Sequence, residues 1–426
     1  MSISSRSKPR IFYGWYILAV VIVTGFVGAG TGQVFFGLMM KPITEDLGWN
    51  RSTVAASVTV GALMGAFAQP IAGYLADRHG PRVIVSLGLL VLAGAFLLLS
   101  SMADVWHIFM GYALARGVSQ AALTGVVART TAVNWFRRMR GRALGFTSMA
   151  PALGSGLVVL AGQGLLSAGV GWRMVFVILA VASASLFVPA ALILRRRPED
   201  MGLLPDGDTA PALTADGQPT GGAPERSWTL GEARRTQALW LITYAMAAGS
   251  MSNGAVTFQI VVYYSEQGIS DGVAGIALSA YSFAGAAAAV TWGFLTERFS
   301  ERRLAFAAFA AGGLVALGFA WVTAAASGIV LAALFGLTVR GEGSLLNLML
   351  ASYFGRGSFG TISGFVSPFQ FAGLGLGPTL GALLIEMTGS FDALFIVACG
   401  LFFSAALAIL LARRPIPIAR LDAIAP

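Results

Sequence analysis

Twelve apolar segments, separated mostly by short polar loops, make up most of this chain. A helix rises about 1.5 Å per residue, so about 20 residues cross the ~30 Å hydrocarbon core of a bilayer. Only helices can do this with short connections, because their backbone polar groups are satisfied within the segment. The sequence therefore predicts an all-α membrane protein with twelve spans, at approximately 13–40, 53–76, 82–101, 106–134, 142–166, 171–194, 238–262, 273–296, 303–324, 328–351, 360–385 and 392–412.

The composition agrees with a membrane protein and argues against several other classes. The chain is 56% hydrophobic and 11% charged, whereas a soluble domain is about 25% charged. Its single cysteine, Cys399, cannot form an intramolecular disulfide, and two histidines make a metal site improbable. No cluster of nucleophile, base and acid suggests an enzyme, and we expect neither a metal nor a cofactor.

The basic residues predict the orientation in the membrane. If the N-terminus is cytoplasmic, 22 of the 28 Lys and Arg residues fall on the cytoplasmic side. Three fall outside (Lys41, Arg51 and Arg173), and three lie within spans (Arg116, Arg129 and Arg340). The positive-inside rule therefore places both termini in the cytoplasm of a multi-pass protein of the inner membrane. The net charge of +9 reflects topology rather than nucleic-acid binding, because it is spread over six segments.

One long polar stretch divides the chain. Residues 198–236 are rich in Pro, Gly, Asp, Thr and Ala and cannot bury a core. They are predicted to form a flexible cytoplasmic linker between an N-terminal six-helix half, 1–197, and a C-terminal six-helix half, 237–426.

An internal repeat relates the two halves. The segment 73–82 returns 220 positions later as 293–302, with Gly, Leu, an acid and two arginines in register. A second match pairs 135–146 with 353–365 at an offset of 218–219. Two similar membrane halves around a central site are the architecture of a secondary transporter.

The repeated loop also carries a family resemblance. The signature G-x-L-x-D-R-x-G-x-R of the major facilitator superfamily is met by Gly73, Leu75, Asp77, Arg78, Gly80 and Arg82. The second copy has Glu297 as its acid and Ser300 in place of the glycine. Three further stretches, 12–15 (FYGW), 135–145 (WFRRMRGRALG) and 196–203 (RRPEDMGL), resemble the monocarboxylate and oxalate/formate carrier branch. The resemblance implies alternating-access transport through a cavity lined by spans 1, 4, 7 and 10.

The resemblance further implies a gating loop. In the family this loop latches the halves in the outward-facing state, a role that falls here on Asp77, Arg78 and Arg82. Their counterparts in the second copy are Glu297 and Arg298. For the arginines, simple positive-inside anchoring is an equal alternative.

Arg116 in span 4 and Arg340 in span 10 are the candidate substrate-binding cations. Each lies about 15–18 Å along its span at ~1.5 Å per residue, and a guanidinium binds a carboxylate with two parallel hydrogen bonds. At the 218–219 offset the mate of Arg116 is Leu334 or Phe335, so the two arginines are not repeat mates. Alternatives stay open: Arg116 serves helix packing or proton movement, and Arg129 snorkels to the interface.

Glu342 is the one acid well inside a span. It lies two residues from Arg340, so the two side chains point about 200° apart and do not pair. Glu342 is a candidate proton-coupling site, or else a structural carboxylate bonded to a neighbouring helix, Arg116 or Arg129.

Uncharged polar residues complete the candidate site. Gln33 on span 1 and Asn253 and Gln259 on span 7 are candidate substrate ligands, although helix-packing hydrogen bonds are the alternative for each, as for Tyr281 and Gln370. Prolines and glycines in spans 5 and 11 predict matched kinks suited to rocking of the halves.

These features predict a secondary active transporter of a small organic anion, a mono- or dicarboxylate, acting as a monomer with a proton or counter-anion as its coupling partner. The alternatives are a proton-driven exporter of lipophilic compounds, disfavoured because the N-terminal spans hold no acid, and a non-transporting membrane sensor.

Overall fold

The computed structural model describes residues 12–208 and 228–415, where every regular element is helical. Within these ranges it leaves out the side chains of Gln33, Val34, Arg51, Ser52, Ala55, Val261 and Asp271. The N-terminal half contains α1 (Tyr13–Gly28), α2 (Gln33–Leu47), α3 (Arg51–His79), α4 (Pro81–Ser100), α5 (Val105–Val118), α6 (Val126–Trp135), α7 (Arg140–Ser167), α8 (Trp172–Ser185) and α9 (Phe187–Ile193). A short helix, α10 (Leu230–Ala233), lies in the predicted linker. The C-terminal half contains α11 (Gln237–Glu266), α12 (Asp271–Leu295), α13 (Glu301–Gly318), α14 (Ala325–Val339), α15 (Glu342–Phe354), α16 (Phe359–Thr388) and α17 (Phe391–Leu411).

Each predicted span coincides with one long helix or with two consecutive helices, which confirms the twelve-helix, all-α prediction. Ten of these units are long and apolar enough to cross a membrane by length and composition. The other two, 105–135 and 237–266, hold candidate site residues: Arg116 and Arg129 in the first, Asn253 and Gln259 in the second.

Spans 4 and 10, predicted as continuous, are both interrupted. In span 4 a π turn, Ser119–Leu123, separates α5 from α6. A Cβ on Gly125 would lie 1.6 Å from the Gln120 carbonyl oxygen, so only glycine fits the turn. In span 10, α14 ends at Val339 and α15 begins at Glu342. Gly341 there packs against the Trp292 ring, which a Cβ would meet at 2.0 Å. Interrupted helices free backbone groups inside the membrane and often mark a transporter's binding site.

The prolines predicted to kink spans 5 and 11 lie inside uninterrupted helices. Pro151 is within α7, and Pro368 and Pro378 are within α16. Neighbouring glycines bring α16 close to α11: a Cβ on Gly373 would lie 2.2 Å from the Ala247 carbonyl oxygen. These glycines therefore permit close helix packing. The breaks in regular helix fall in spans 1, 4, 6 and 10.

The two halves meet at the end of the bundle that carries the basic loops 78–82, 137–142 and 298–303, called here the basic end. A Cβ on Gly73 would lie 2.1 Å from the Gly360 carbonyl oxygen, and one on Gly141 would lie 2.4 Å from that of Gly293. Helices α3 and α16, and likewise α7 and α12, thus touch through their backbones. Any larger residue at these positions would hold the halves apart.

The described ends of the predicted linker are fastened to the bundle. The Asp206 carboxylate accepts hydrogen bonds from the backbone N–H groups of Arg137, Arg138 and Met139, at 3.1, 2.7 and 3.3 Å. The Trp228 N–H donates to the Phe354 carbonyl at 2.9 Å. One end therefore binds the loop before span 5, and the other binds the last residue of α15. The flexible stretch predicted between them falls mainly at 209–227, outside the described residues.

Candidate functional site

Arg340 lies at the break between α14 and α15, where its side chain is exposed. Its guanidinium carbon stands 5.1 Å from the centre of the Tyr281 ring on α12. The aliphatic part of the Arg340 side chain packs over Gly285 of α12, where a Cβ would lie 2.5 Å from Arg340 Cγ. In the described part of the chain no acid forms an ion pair with it. The guanidinium is therefore held by an aromatic face and its donors are left for another group.

The Tyr281 ring is itself held in place. Its hydroxyl donates to Asn253 Oδ1 at 2.7 Å, and that oxygen also accepts from Thr257 Oγ1 at 3.0 Å. Tyr281 is only 4% exposed. The candidate ligand Asn253 therefore has no direct bond to Arg340 among the described contacts but fixes the Tyr281 ring that Arg340 contacts. These contacts link spans 7, 8 and 10.

Arg116 faces the break in span 1. Its Nη1 donates to the Thr31 carbonyl at 3.3 Å, an oxygen that also accepts the Tyr112 hydroxyl at 3.0 Å. With the Gln120 amide turned to satisfy both groups, its oxygen accepts from Arg116 Nη2 and Nε at 2.7 and 3.1 Å. All of these acceptors are neutral, and no acid in the described part of the chain forms an ion pair with Arg116, so its positive charge is solvated but not cancelled there.

The structure corrects the repeat register in this region. The Gln120 side chain packs over Gly65 of α3, where a Cβ would lie 3.1 Å from Gln120 Cγ. Arg340 packs over Gly285 of α12 in the same way. Both pairs are 220 residues apart in sequence, the offset of the repeated loop. Gln120 is therefore the mate of Arg340, and the mate of Arg116 is Gly336 rather than Leu334 or Phe335. The offset of 218–219 holds for the loops before spans 5 and 11 and for the first turns of α7 and α16.

The same register places Gln120 and Arg340 at one depth, and Arg116 one helical turn farther from the basic end. One helical turn from Gly65 and Gly285, Gln69 and Ala289 contact the opposite half. A Cβ on Gly364 would lie 2.8 Å from the Gln69 carbonyl oxygen, and one on Gly145 would lie 2.4 Å from that of Ala289. The Arg116–Gln120 pair and Arg340 therefore lie just above the level at which the halves close.

Glu342 points away from these cations into the C-terminal half. It is 7% exposed, and a Cβ on Gly249 would meet its Oε2 at 2.9 Å and the Phe309 ring at 2.5 Å. Among the described residues Oε2 has no hydrogen-bond partner. The expected separation from Arg340 holds, and neither Arg116 nor Arg129 is paired with it.

The remaining candidate ligands are not brought together. The Gln33 side chain lies outside what the structure describes. Gln259 donates to the Pro378 carbonyl on α16 at 3.5 Å, away from Asn253, which fits a helix-packing role.

The acids of the repeated loops bridge the halves in related ways. The Asp77 carboxylate accepts from the backbone N–H groups of Gly360 and Thr361 at the start of α16. Glu297 forms an ion pair with Arg142 at the start of α7. By contrast, Arg78 is exposed and donates to Tyr74 in its own half. Arg82 and Arg298 are exposed and make no bridge among the described residues.

Comparisons with known proteins agree with this architecture. A sequence profile described as Major Facilitator Superfamily matches residues 20–273 and, in a second match, residues 241–425. The chain is 24% identical to the oxalate:formate antiporter of Oxalobacter formigenes, over 92% of this chain and 90% of that protein. It is also 24% identical to the membrane sensor protein UhpC of Salmonella typhimurium, over 86% of this chain and 84% of that protein.

A solved structure shows the same fold. The crystal structure of FucP, a Major Facilitator Superfamily transporter in the outward conformation, superposes with a TM-score of 0.72 at 15% identity. The match covers 94% of this chain and 100% of FucP.

Proposed function

The chain belongs to the major facilitator superfamily, and we propose that it carries a small organic anion, a mono- or dicarboxylate, across the cytoplasmic membrane by alternating access. In this mechanism two halves rock around a central site that faces each side of the membrane in turn. The halves are 1–197 and 237–426, joined by 198–236.

The observation that carries the proposal is Arg340. It lies at a helix break within a membrane span, stacked on Tyr281, and has no acidic partner in the described part of the chain. A cation at such a depth is costly unless it pairs with another group. A substrate carboxylate would neutralise this charge, because two N–H groups of the planar guanidinium can donate to the two carboxylate oxygens.

Arg116 supports the same substrate class from the opposite half. Its described acceptors, the Thr31 carbonyl and the Gln120 amide, are neutral and leave its charge uncancelled about one helical turn from the level of Arg340. In the proposed mechanism both cations face the central cavity and give it a positive potential that attracts anions. Asn253 fixes the aromatic support of Arg340, and Gln33 on span 1 is a further ligand candidate.

Sidedness follows from the basic loops. The basic end is the cytoplasmic end by the positive-inside rule, and both termini lie on that side. The hydrogen bonds of Asp77 to the start of α16 and the ion pair of Glu297 with Arg142 close this end of the bundle. In the proposed mechanism the site is then accessible from outside. In this proposal the two acids form the latch, whereas the exposed Arg78, Arg82 and Arg298 anchor the topology.

Glu342 is the proposed proton-coupling group. A buried carboxylate with no cation beside it is costly, so the site favours a neutral, protonated side chain until a conformational change opens it. A counter-anion is the second possible coupling partner, since a relative over nearly the whole chain is named an antiporter of two carboxylates.

Uptake into proteoliposomes tests the transport proposal. Purified protein is reconstituted and offered labelled formate, oxalate, lactate and succinate, with neutral fucose as the control and with or without an imposed pH gradient. Saturable uptake of at least one carboxylate, and none of fucose, is the expected result. Movement of fucose with no carboxylate uptake would contradict the substrate class.

A membrane sensor is the second candidate, because a protein of that name aligns with 86% of the chain. The same vesicles separate the two functions. A sensor would bind a carboxylate, seen as a rise in melting temperature, yet accumulate none of the label inside.

A further inference from the structure

Arg129 bridges the two halves in the interior of the bundle. It lies six residues before the end of α6 at Trp135, about 9 Å along the helix at ~1.5 Å per residue. Its Nη2 donates both to Gln69 Oε1 on α3 and to Ser367 Oγ on α16, each at 3.2 Å. Gln69 is 0% and Ser367 1% exposed. The guanidinium is thus turned inward, so the alternative that it snorkels to the interface is wrong.

The charge of Arg129 is uncancelled here. Both acceptors of Nη2 are neutral, and no carboxylate among the described residues pairs with the guanidinium. Its Nε is buried and has no hydrogen-bond partner in that part of the chain. A buried N–H without a partner is costly, more so on a charged group. Packing alone does not account for an arginine at this position.

The contact with Ser367 depends on the conformational state. Arg129 and Gln69 belong to one half and Ser367 to the other, and all three lie at the level where the halves close. When the halves separate at the basic end, Ser367 leaves with α16. Arg129 then keeps Gln69 as an acceptor, while its Nη2 regains a free donor direction beside the unpartnered Nε.

We propose that Arg129 is a carboxylate-binding residue of the state that is open at the basic end, where it contacts the transported anion on the cytoplasmic part of its path. Nε and Nη2 form one edge of the guanidinium, and this edge binds a carboxylate through two parallel N–H···O bonds. Arg340 binds the anion in the state open to the outside, and Arg129 binds it after the floor of the cavity has opened. This inference rests on the proposed transport of a carboxylate.

Transport measured separately from each side of the membrane tests the role of Arg129. Right-side-out and inside-out vesicles from cells that express the protein give an external and a cytoplasmic KM for the carboxylate, among formate, oxalate, lactate and succinate, that the unmodified chain transports. Arg129→Gln removes the charge, Arg129→Lys keeps the charge but lacks the fork, and Ser367→Ala removes only the bridge. Arg78→Gln, on an exposed arginine of the same half, is the matched control.

The cytoplasmic KM of Arg129→Gln is expected to rise about tenfold or more, with its external KM within about twofold of the original, as for the loss of a charged hydrogen bond on one side. The cytoplasmic KM of Arg129→Lys should lie between that of the unmodified chain and that of Arg129→Gln. Ser367→Ala should leave the cytoplasmic KM within about twofold of the original.

Equal behaviour of Arg129→Gln and Ser367→Ala would overturn the inference, because it would reduce Arg129 to a bridge. An equal rise of both KM values would overturn it as well. If Arg129→Gln does not fold, Arg129→Lys alone decides between these outcomes. Transport of no carboxylate by the unmodified chain would overturn the proposed function, and this inference with it.

Discussion

The Asp77 carboxylate accepts both the backbone N–H and the hydroxyl of Thr361 in the opposite half, at 2.6 and 2.7 Å. Thr361 lies in the first turn of α16, so Asp77 acts as an N-terminal cap for a helix that belongs to the other half. The motif acid therefore contributes to closing the basic end, and its contribution disappears when the halves separate there.

Asp77→Asn is expected to weaken this closure. The amide keeps one oxygen acceptor but loses the charge that favours a helix N-terminus, a change of about 0.5–2 kcal/mol for a cap. Closure can be followed through Ser148→Cys and Ser344→Cys, whose parent hydroxyl oxygens lie 2.8 Å apart across the halves, in a Cys399→Ala background. Disulfide formation between them should slow severalfold in Asp77→Asn and stay unchanged in Arg78→Gln. An unchanged rate in Asp77→Asn would show that the cap does not hold the halves together.

The ion pair of Arg142 and Glu297 should behave as an exchangeable pair. Both side chains are partly exposed, so the coupling is modest, at about 0.2–1 kcal/mol. Arg142→Glu and Glu297→Arg should each slow the same disulfide formation, and the double exchange should restore most of the rate. Failure of the double exchange to improve on either single variant would mean that the pair adds no specific attraction.

Tyr281 is expected to set the affinity for the anion through Arg340. A cation–π contact contributes about 0.5–2 kcal/mol, so Tyr281→Leu should raise the carboxylate KM by roughly 2- to 30-fold at similar kcat. Tyr281→Phe keeps the ring and loses only the bond to Asn253, and should have the smaller effect. Equal KM values for the two variants would contradict a role for the ring.

Glu342→Gln is expected to uncouple transport from the pH gradient. Glutamine is neutral and close in size to the carboxyl it replaces, so the protein should fold normally while carboxylate exchange continues. Stimulation of uptake by an imposed pH gradient should disappear, whereas Glu386→Gln, on an exposed acid, should retain it. Full stimulation in Glu342→Gln would remove Glu342 from the coupling mechanism.

The sequence predicts the spans because apolar length reports burial in lipid. It does not predict whether a span is one helix or two. Gly341 and Gly125 interrupt spans 10 and 4, but in a chain with 54 glycines nothing local distinguishes them from the packing glycine Gly373. A break depends on what the glycine meets in the neighbouring helix, and that contact is not local.

For the candidate site, likewise, the sequence predicts some of the residues but not the contacts that they make. The cost of burying charge predicts Arg340, Arg116 and Glu342 as residues of interest. It does not predict the partners, because Tyr281 and Gly285 lie more than 50 residues from Arg340 and come together only through helix packing. Arg129 required the structure, since its partner Ser367 belongs to the other half. Gln69 and Gln120, as polar residues within spans, were the signal that could have pointed to this region.

Carboxylate uptake by Arg340→Gln in proteoliposomes tests the central claim, that this guanidinium binds the transported anion. The variant keeps a polar side chain at the helix break but loses the charge and the fork. Uptake efficiency, kcat/KM, should fall about 10- to 100-fold, as for the loss of a charged hydrogen-bond donor, while Arg82→Gln at the exposed basic end should match the original chain. An unchanged kcat/KM for Arg340→Gln would contradict the account.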